Sequence, residues 1–183
     1  MYVKIALIFF SAIISYMLPN GWDKFTALVD TREQTPLNLY PLKFKRAGLK
    51  TGDYSIEGYE NQIVVERKSL NDFVACITRE RARFERELER MAEIEHRCVA
   101  IEADPSHVIC EKYISKVKWN SVLHSTYSWM IKYKVPFVYC YDHDHTADFV
   151  TYYLSKFYYE KNGPSVGRLK KNHNREKEKV TVS

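Results

Sequence analysis

The spacing of apolar positions changes along this chain, and the changes mark out its elements. Thr26 to Val29 is a short β-type run that ends at Asp30. Thr31-Arg32-Glu33-Gln34-Thr35-Pro36 then reads as a loop, because Pro36 disfavours helical backbone just before it. Asp53 to Ile56 and Ile63 to Glu66 read as two strands, separated by a turn at Glu57-Gly58-Tyr59-Glu60-Asn61. From Ser69, a good N-cap, the pattern becomes helical through Asp72, Phe73 and Ile77. A longer helix is predicted from Arg79 to Glu95. At about 100° per residue, Ile77, Phe84, Leu88 and Met91 share one face, and Arg79, Arg83, Arg86 and Arg90 fall nearly opposite. A strand at Cys98 to Ala103, a helix at Trp119 to Tyr133 and a strand at Pro136 to Tyr141 follow. An aromatic-rich helix from Thr146 to Tyr159 ends before Gly163-Pro164. Strands early, then helix and strand in alternation, predict an α/β fold: a central mixed sheet with helices on both faces.

Composition sharpens this picture. At 183 residues, 45% hydrophobic and 28% charged, the chain is expected to fold as one domain with a sizeable core, not to be disordered. The expected organisation is an apolar N-terminal segment at 1–22, a single domain at 23–163 and a basic, disordered tail at 164–183. Net charge is +5, and the tail carries most of it: six Lys and Arg face only Glu176 and Glu178 after Gly167. Such a tail is drawn to polyanions, or merely solubilises the chain. The four cysteines form no Cys-x-x-Cys pair, which argues against a zinc or redox site. Cys98 and Cys140 sit in apolar strands, and buried free thiols fit an intracellular setting, the nucleus in a eukaryote. The apolar run Ile5 to Leu18 is shorter than the roughly 20 residues of a comfortable span, and no small-x-small cleavage site follows it. It reads as an extra packing helix or a start upstream of the domain, with a signal or anchor as the third reading.

The chemistry concentrates between Gly52 and Asp72. Glu66 and Lys68 are two apart at a strand end, so both leave the same face, and Arg67 points the other way. If the two strands pair as an antiparallel hairpin, Asp53 meets Glu66 at its open end. Two converging carboxylates make a hard-oxygen site suited to magnesium, with manganese as substitute. Such an ion polarises phosphate and activates water, and Lys68 can orient that water or steady developing charge. Asp30, which also closes a strand, is a candidate third acid. Read only as an acid followed by acid-x-Lys, the pattern is common on solvated strand ends and carries little weight.

The longer pattern carries much more. Gly52-Asp53, then Glu66-Arg67-Lys68, then three residues and Asp72 resemble the GDx(n)ERKx(3)D signature of the XPF/Mus-type structure-specific endonucleases. Val29-Asp30-Thr31-Arg32-Glu33 is similar to the family's upstream Val-Asp-x-Arg-Glu element, and Arg83-Phe84 to its Arg-Phe helix. The resemblance spans roughly Thr26 to Tyr159. It implies a restriction-endonuclease-like αβα core and a metal-dependent endonuclease acting on DNA, at branches or flaps in repair or recombination. It implies Asp53, Glu66 and Asp30 as metal ligands and Lys68 as the catalytic lysine. Arg67 would contact phosphate or hold the geometry. Arg32 and Arg83 would meet substrate, and Glu33 and Asp72 would support the site. Most eukaryotic and archaeal members add helix-hairpin-helix modules after this domain, a pattern these residues lack, which leaves the preferred DNA structure open. The family's nuclease domains commonly pair. Together with Tyr152, Tyr153, Phe157, Tyr158 and Tyr159 on the last helix, this leads to an expected homodimer. The alternative is a catalytically inactive nuclease-like module that binds DNA or a partner, although such modules usually lose the acids or the lysine.

Two weaker signals remain. Asp142-His143-Asp144-His145 resembles a metal cluster but stands between a strand and a helix, where an Asp is wanted as N-cap. Glu87 follows Arg83 by four residues, so a local ion pair on a solvated helix face is expected there.

Overall fold

The computed structural model describes residues 22–163; the apolar run Ile5 to Leu18 and the basic tail, with the readings given for them above, lie outside these. Six strands form one sheet: β1 (Thr26–Asp30), β2 (Lys43–Ala47), β3 (Tyr54–Ile56), β4 (Ile63–Ser69), β5 (His96–Glu102) and β6 (Phe137–Tyr139). Five helices follow in chain order: α1 (Leu70–Ile77), α2 (Arg81–Ala92), α3 (Pro105–Ile109), α4 (Trp119–Tyr133) and α5 (His143–Asn162). The sheet order is β2-β1-β3-β4-β5-β6. β1 runs parallel to β2 and antiparallel to β3; β4 pairs antiparallel with β3 and parallel with β5, which in turn is parallel to β6. The sheet is therefore mixed.

Both faces of the central strands are covered. On one side Val64, Val99 and Ile101 pack with Phe73 of α1, Phe84 and Leu88 of α2 and Trp129 of α4. Phe84 and Phe137 flank Trp129 at ring-centroid distances of 5.2 and 6.2 Å. On the other side Tyr54, Val65, Cys98 and Ala100 pack with Val150, Leu154 and Phe157 of α5 and with Leu37, Leu39 and Leu42. Two covered faces explain why β4 and β5 carry unbroken apolar runs, Ile63–Val65 and Cys98–Ile101. Among the described residues no helix is long and apolar enough to cross a membrane.

Three expectations change. The helix foreseen over Arg79 to Glu95 is α2 alone, separated from α1 by a turn in which the Thr78 and Glu80 N–H groups both donate to the Ala75 carbonyl. β2 and α3 were not foreseen. β2 (Lys-Phe-Lys-Arg-Ala) is an edge strand exposed along most of its length, so no apolar face betrays it. The aromatic residues of α5 are largely consumed inside the fold. Phe157 is buried, Tyr158 stacks on Phe25 at 4.9 Å, and Tyr153 stacks on Phe149 at 5.6 Å. Among the described residues, α4 exposes more large apolar side chains than any other element: Trp119, Tyr127 (55%), Met130 and Ile131 (80%).

Candidate active site

The β3–β4 hairpin places the acids. Tyr54 stands opposite Val65, and the Asp53 N–H donates to the Val65 carbonyl at 2.9 Å, so Asp53 sits beside the polar end of β4. On β4, Val64 belongs to the α1–α2 side and Val65 to the α5 side. The alternation sends Glu66 and Lys68 to the α1–α2 side and Arg67 away from it, as the spacing requires. Lys68 Nζ pairs with Glu66 Oε1 and lies 5.5 Å from the centre of the Phe84 ring. The Arg67 backbone N–H donates to Asp53 Oδ2 at 2.8 Å. Asp53, Glu66 and Lys68 line one open cleft of about 510 Å³, together with Arg32, Glu33, Arg67, Asp72, Arg79, Arg83 and Glu87.

The carboxylates of this cleft are poorly hydrated. Glu66 is only 3% exposed, and burial pushes its carboxyl up to about 8 against the pull of Lys68, with the charges of Asp53 and Glu87 adding to the rise. Burial likewise pushes Asp53 up to about 6, while Lys68 and the Arg67 N–H oppose it. Lys68 is raised as well, but for the opposite reason: burial would release its proton, and the charges of Glu66 and Asp53 outweigh that and hold it, so the ammonium persists. The result is two carboxyls and one cation in a confined space, with a proton held where a second cation would be welcome.

Asp30 does not join them. It is 1% exposed and absent from the cleft wall. Its Oδ1 accepts from the Arg32 backbone N–H at 2.8 Å and from Arg32 Nε at 2.7 Å; its Oδ2 accepts from Arg32 Nη2 at 3.1 Å and the Leu49 N–H at 2.7 Å. Burial alone would raise its pKa, but these donors outweigh it and hold the carboxyl below its usual range. Each oxygen thus accepts two hydrogen bonds, and Asp30 ties the segment that follows β1 to its own strand end instead of lining the cleft. Arg32 keeps its exposed guanidinium at the mouth of the cleft, on this anchor.

Arg67 takes the second of its two expected roles. Its Nε and Nη2 donate to the two oxygens of Glu33 at 3.0 Å each, and Nη1 reaches Glu102 Oε2 at 2.9 Å. Glu102 Oε1 in turn meets His143 Nδ1 at 2.7 Å. Burial would raise the Glu33 carboxyl, yet Arg67, the Thr35 N–H and Lys68 hold it below the normal range. Arg67 therefore fastens the loop after β1, the end of β5 and the start of α5 to the back of the site. Because its loss leaves Glu33 with only the Thr35 N–H and Glu102 with only His143, Arg67→Ala should lower unfolding stability by about 3–5 kcal/mol in denaturant titration at neutral pH. A loss under about 1 kcal/mol would show that the network is not structural.

The remaining predicted residues are placed as follows. Asp72 takes part in the N-cap of α1: its N–H donates to Ser69 Oγ at 3.2 Å, and Ser69 Oγ donates to Asp72 Oδ2 at 2.6 Å. Arg83 is 70% exposed, pairs with Glu80 at 3.1 Å and faces the cleft. The foreseen Arg83–Glu87 pair is not made. Arg79 lines the cleft beside Arg83, whereas Arg86 and Arg90 do not. Asp142 caps α5, accepting the His145 N–H at 2.8 Å. Sequence reasoning missed Glu87 and His143 as neighbours of the site.

A family model described as the ERCC4 domain matches residues 29–153, about two thirds of the chain. The chain belongs to the ERCC4 domain family. The match starts one residue before Asp30 and covers every residue of the cleft. Among solved structures, this ERCC4 domain is similar to XPF from Aeropyrum pernix, with a TM-score of 0.59 and 18% identity over 80% of this chain and 69% of that one. XPF from Aeropyrum pernix in complex with DNA gives a TM-score of 0.60 and 22% identity over 78% and 68%. At such identities the likeness is one of fold, and that fold is the restriction-endonuclease-like αβα sandwich foreseen from the sequence. The search of curated proteins returned no match. The family is one of structure-specific DNA nucleases.

Proposed function

We propose that this ERCC4 domain is a divalent-metal-dependent DNA endonuclease that hydrolyses phosphodiester bonds at branched or flapped DNA. The observation that carries the reading is the convergence of Asp53, Glu66 and Lys68 in one open cleft whose rim bears Arg32, Arg79 and Arg83. An acidic floor for a cation beneath a basic rim for phosphates is what phosphodiester hydrolysis requires.

The donor set fits a hard cation. Among the described residues no group of three or more His, Cys, Asp and Glu side chains is arranged to hold a metal ion. Magnesium does not need one, because it commonly takes one or two carboxylates and completes its shell with water and substrate phosphate. Asp53 and Glu66 would hold it, and manganese would substitute. When bound, the ion polarises the phosphate and lowers the pKa of a water. The chain's own residues do the rest. Lys68 stays cationic beside Glu66 and is placed to stabilise charge developing on the phosphate. Arg32 and Arg83, exposed on the rim, neutralise the flanking phosphates. Arg67 holds the back of the site rigid.

The test is a cleavage panel of single-stranded, duplex, flap and fork DNA with magnesium or manganese, run beside Asp53→Ala. Metal-dependent cleavage of a branched substrate that Asp53→Ala lacks is the expected result. Binding of the same DNA without cleavage by the parent protein would establish the inactive, DNA-binding alternative.

Two further parts of the reading follow from surfaces. A homodimer is inferred through α4 and not α5: Trp119, Leu123, Tyr127 and Ile131 recur every fourth residue, and three of the four are exposed. Light scattering at high micromolar concentration should show a dimer for the parent and a monomer for Ile131→Asp; a monomeric parent would refute it. Action inside the cell is proposed from Cys76, Cys98 and Cys140, all buried and free.

A further inference from the structure

Glu87 sits on α2 and faces the cleft that holds Asp53, Glu66 and Lys68. Its Oε1 accepts from Thr51 Oγ1 at 3.1 Å and from the Gly52 N–H at 3.4 Å. Those two residues lead directly into Asp53, and both are buried. The turn they make is demanding. Gly52 has φ +74°, and a Cβ there would stand 2.0 Å from Val64 Cγ2, so the backbone is pressed against β4. Asp53 itself is fastened on its strand side: its N–H donates to the Val65 carbonyl at 2.9 Å, and its carbonyl accepts the Asp30 N–H at 2.8 Å. Glu87 supplies the tie on the helix side. α2 can serve as an anchor because Phe84, Leu88 and Met91 bury it in the core.

We propose that Glu87 is a positioning residue for Asp53: its carboxylate clamps the Thr51–Gly52 turn to α2 and fixes the direction in which Asp53 offers its own carboxylate to a divalent cation. The inference rests on the cation reading of the cleft given above. It also separates two properties of Glu87. A clamp needs an acceptor oxygen, which glutamine retains; a purely electrostatic role needs the negative charge, which glutamine lacks.

The experiment compares the parent with Glu87→Ala, Glu87→Gln and Thr51→Val. Magnesium and manganese affinity is measured by calorimetry, amide-proton exchange at Gly52 and Asp53 is followed in the metal-free protein, and kcat and KM are determined on the cleaved DNA. Glu87→Ala should lose about 10- to 100-fold in cation affinity, as supporting hydrogen bonds to metal ligands typically do. It should exchange faster at Gly52, and kcat should fall with KM for DNA little changed. Glu87→Gln should stay within about threefold of the parent, because the hydrogen bonds survive. Thr51→Val, which removes the other half of the clamp without touching the acid, should shift affinity in the same direction by about two- to tenfold. Unchanged exchange and unchanged affinity in Glu87→Ala would overturn the proposal, and so would a Glu87→Gln variant as impaired as Glu87→Ala. Faster exchange in Glu87→Ala, in a parent protein that binds neither metal ion, would uphold the clamp and overturn the cation reading instead.

Discussion

Asp53→Ala and Glu66→Ala are expected to abolish cleavage and divalent-cation affinity together, whereas Lys68→Ala cripples cleavage and leaves cation affinity intact. The difference follows from who touches whom. Asp53 and Glu66 are the two carboxyls proposed to hold the cation, and removing either leaves one. Lys68 is no ligand; it is paired with Glu66 and so competes with a metal ion for that carboxylate. Its removal should leave cation affinity at the parent level or raise it. Cleavage should still fall by about 10²–10³-fold, the usual loss when a preorganised group that stabilises transition-state charge is deleted. DNA binding should survive in all three variants, and should tighten in the acid variants because a carboxylate that repels phosphate is gone. Calorimetric titration with magnesium and manganese, paired with single-turnover cleavage on each variant, decides the matter. Lys68→Ala losing cation affinity as severely as Asp53→Ala would be fatal to this division of roles, as would parent-rate cleavage by Asp53→Ala.

The second large effect is a dependence of metal-free stability on pH that magnesium reverses. Glu66 rises in the folded protein from an ordinary 4.5 to about 8, and Asp53 from 3.8 to about 6, both mainly through burial. A carboxyl whose folded pKa lies above its unfolded one is protonated longer in the native state. The unfolded chain therefore ionises first, and stability falls as pH rises from near 4 through 8. The loss is on the order of a few kcal/mol. Asp30 and Glu33, held below their ordinary values, act in the opposite sense. The stability they contribute is present above the unfolded carboxyl pKa and is lost as pH drops below it. The thermal midpoint in chelator should thus peak in mildly acidic solution and decline towards pH 8. Glu66→Gln should flatten the decline, and excess magnesium should abolish it by taking the place of the proton. A midpoint that is level between mildly acidic and mildly basic pH, or a Glu66→Gln variant with the parent's slope, would contradict the burial of an uncompensated carboxyl at this position.

Much of this protein could be read along the chain. The apolar runs of β4 and β5, the turn at Glu57 to Asn61, the Ser69 cap and the 3.6-residue period of α4 each depend on interactions within a few residues. Local composition therefore specified them, and the αβα class followed from their order. The pairing of Asp53 with Glu66 was legible for the same reason: a short hairpin leaves one register, and alternation then decides which side chains share a face. The family signature added the identity of the site, and the fold agrees with it.

What escaped the sequence depends on partners that are far apart in it. Asp30 looked like a ligand because it closes a strand, yet its oxygens are claimed by Arg32 and by the Leu49 N–H nineteen residues on. Arg67 could have met phosphate; Glu33 and Glu102, both more than thirty residues distant, made it a structural bolt. Glu87 was expected to pair with Arg83; it lies 3.7 Å from Arg90 instead, and the docking of α2 against the sheet also brings it to Thr51 and Gly52. The aromatic residues of α5 suggested a sticky surface until Tyr158 was seen stacked on Phe25 and Phe157 packed edge-on against Tyr59. Periodicity tells which face of an element is apolar, but not which polar group from another element reaches a given carboxylate first. Sequence thus determined most of the elements, their order and the acids and lysine at the open end of the hairpin, but not the exposed edge strand β2 or the short helix α3. Tertiary packing decided which charges are spent on holding the fold and which are left facing the cleft, because that competition is settled by distance and desolvation among residues that the chain itself keeps apart.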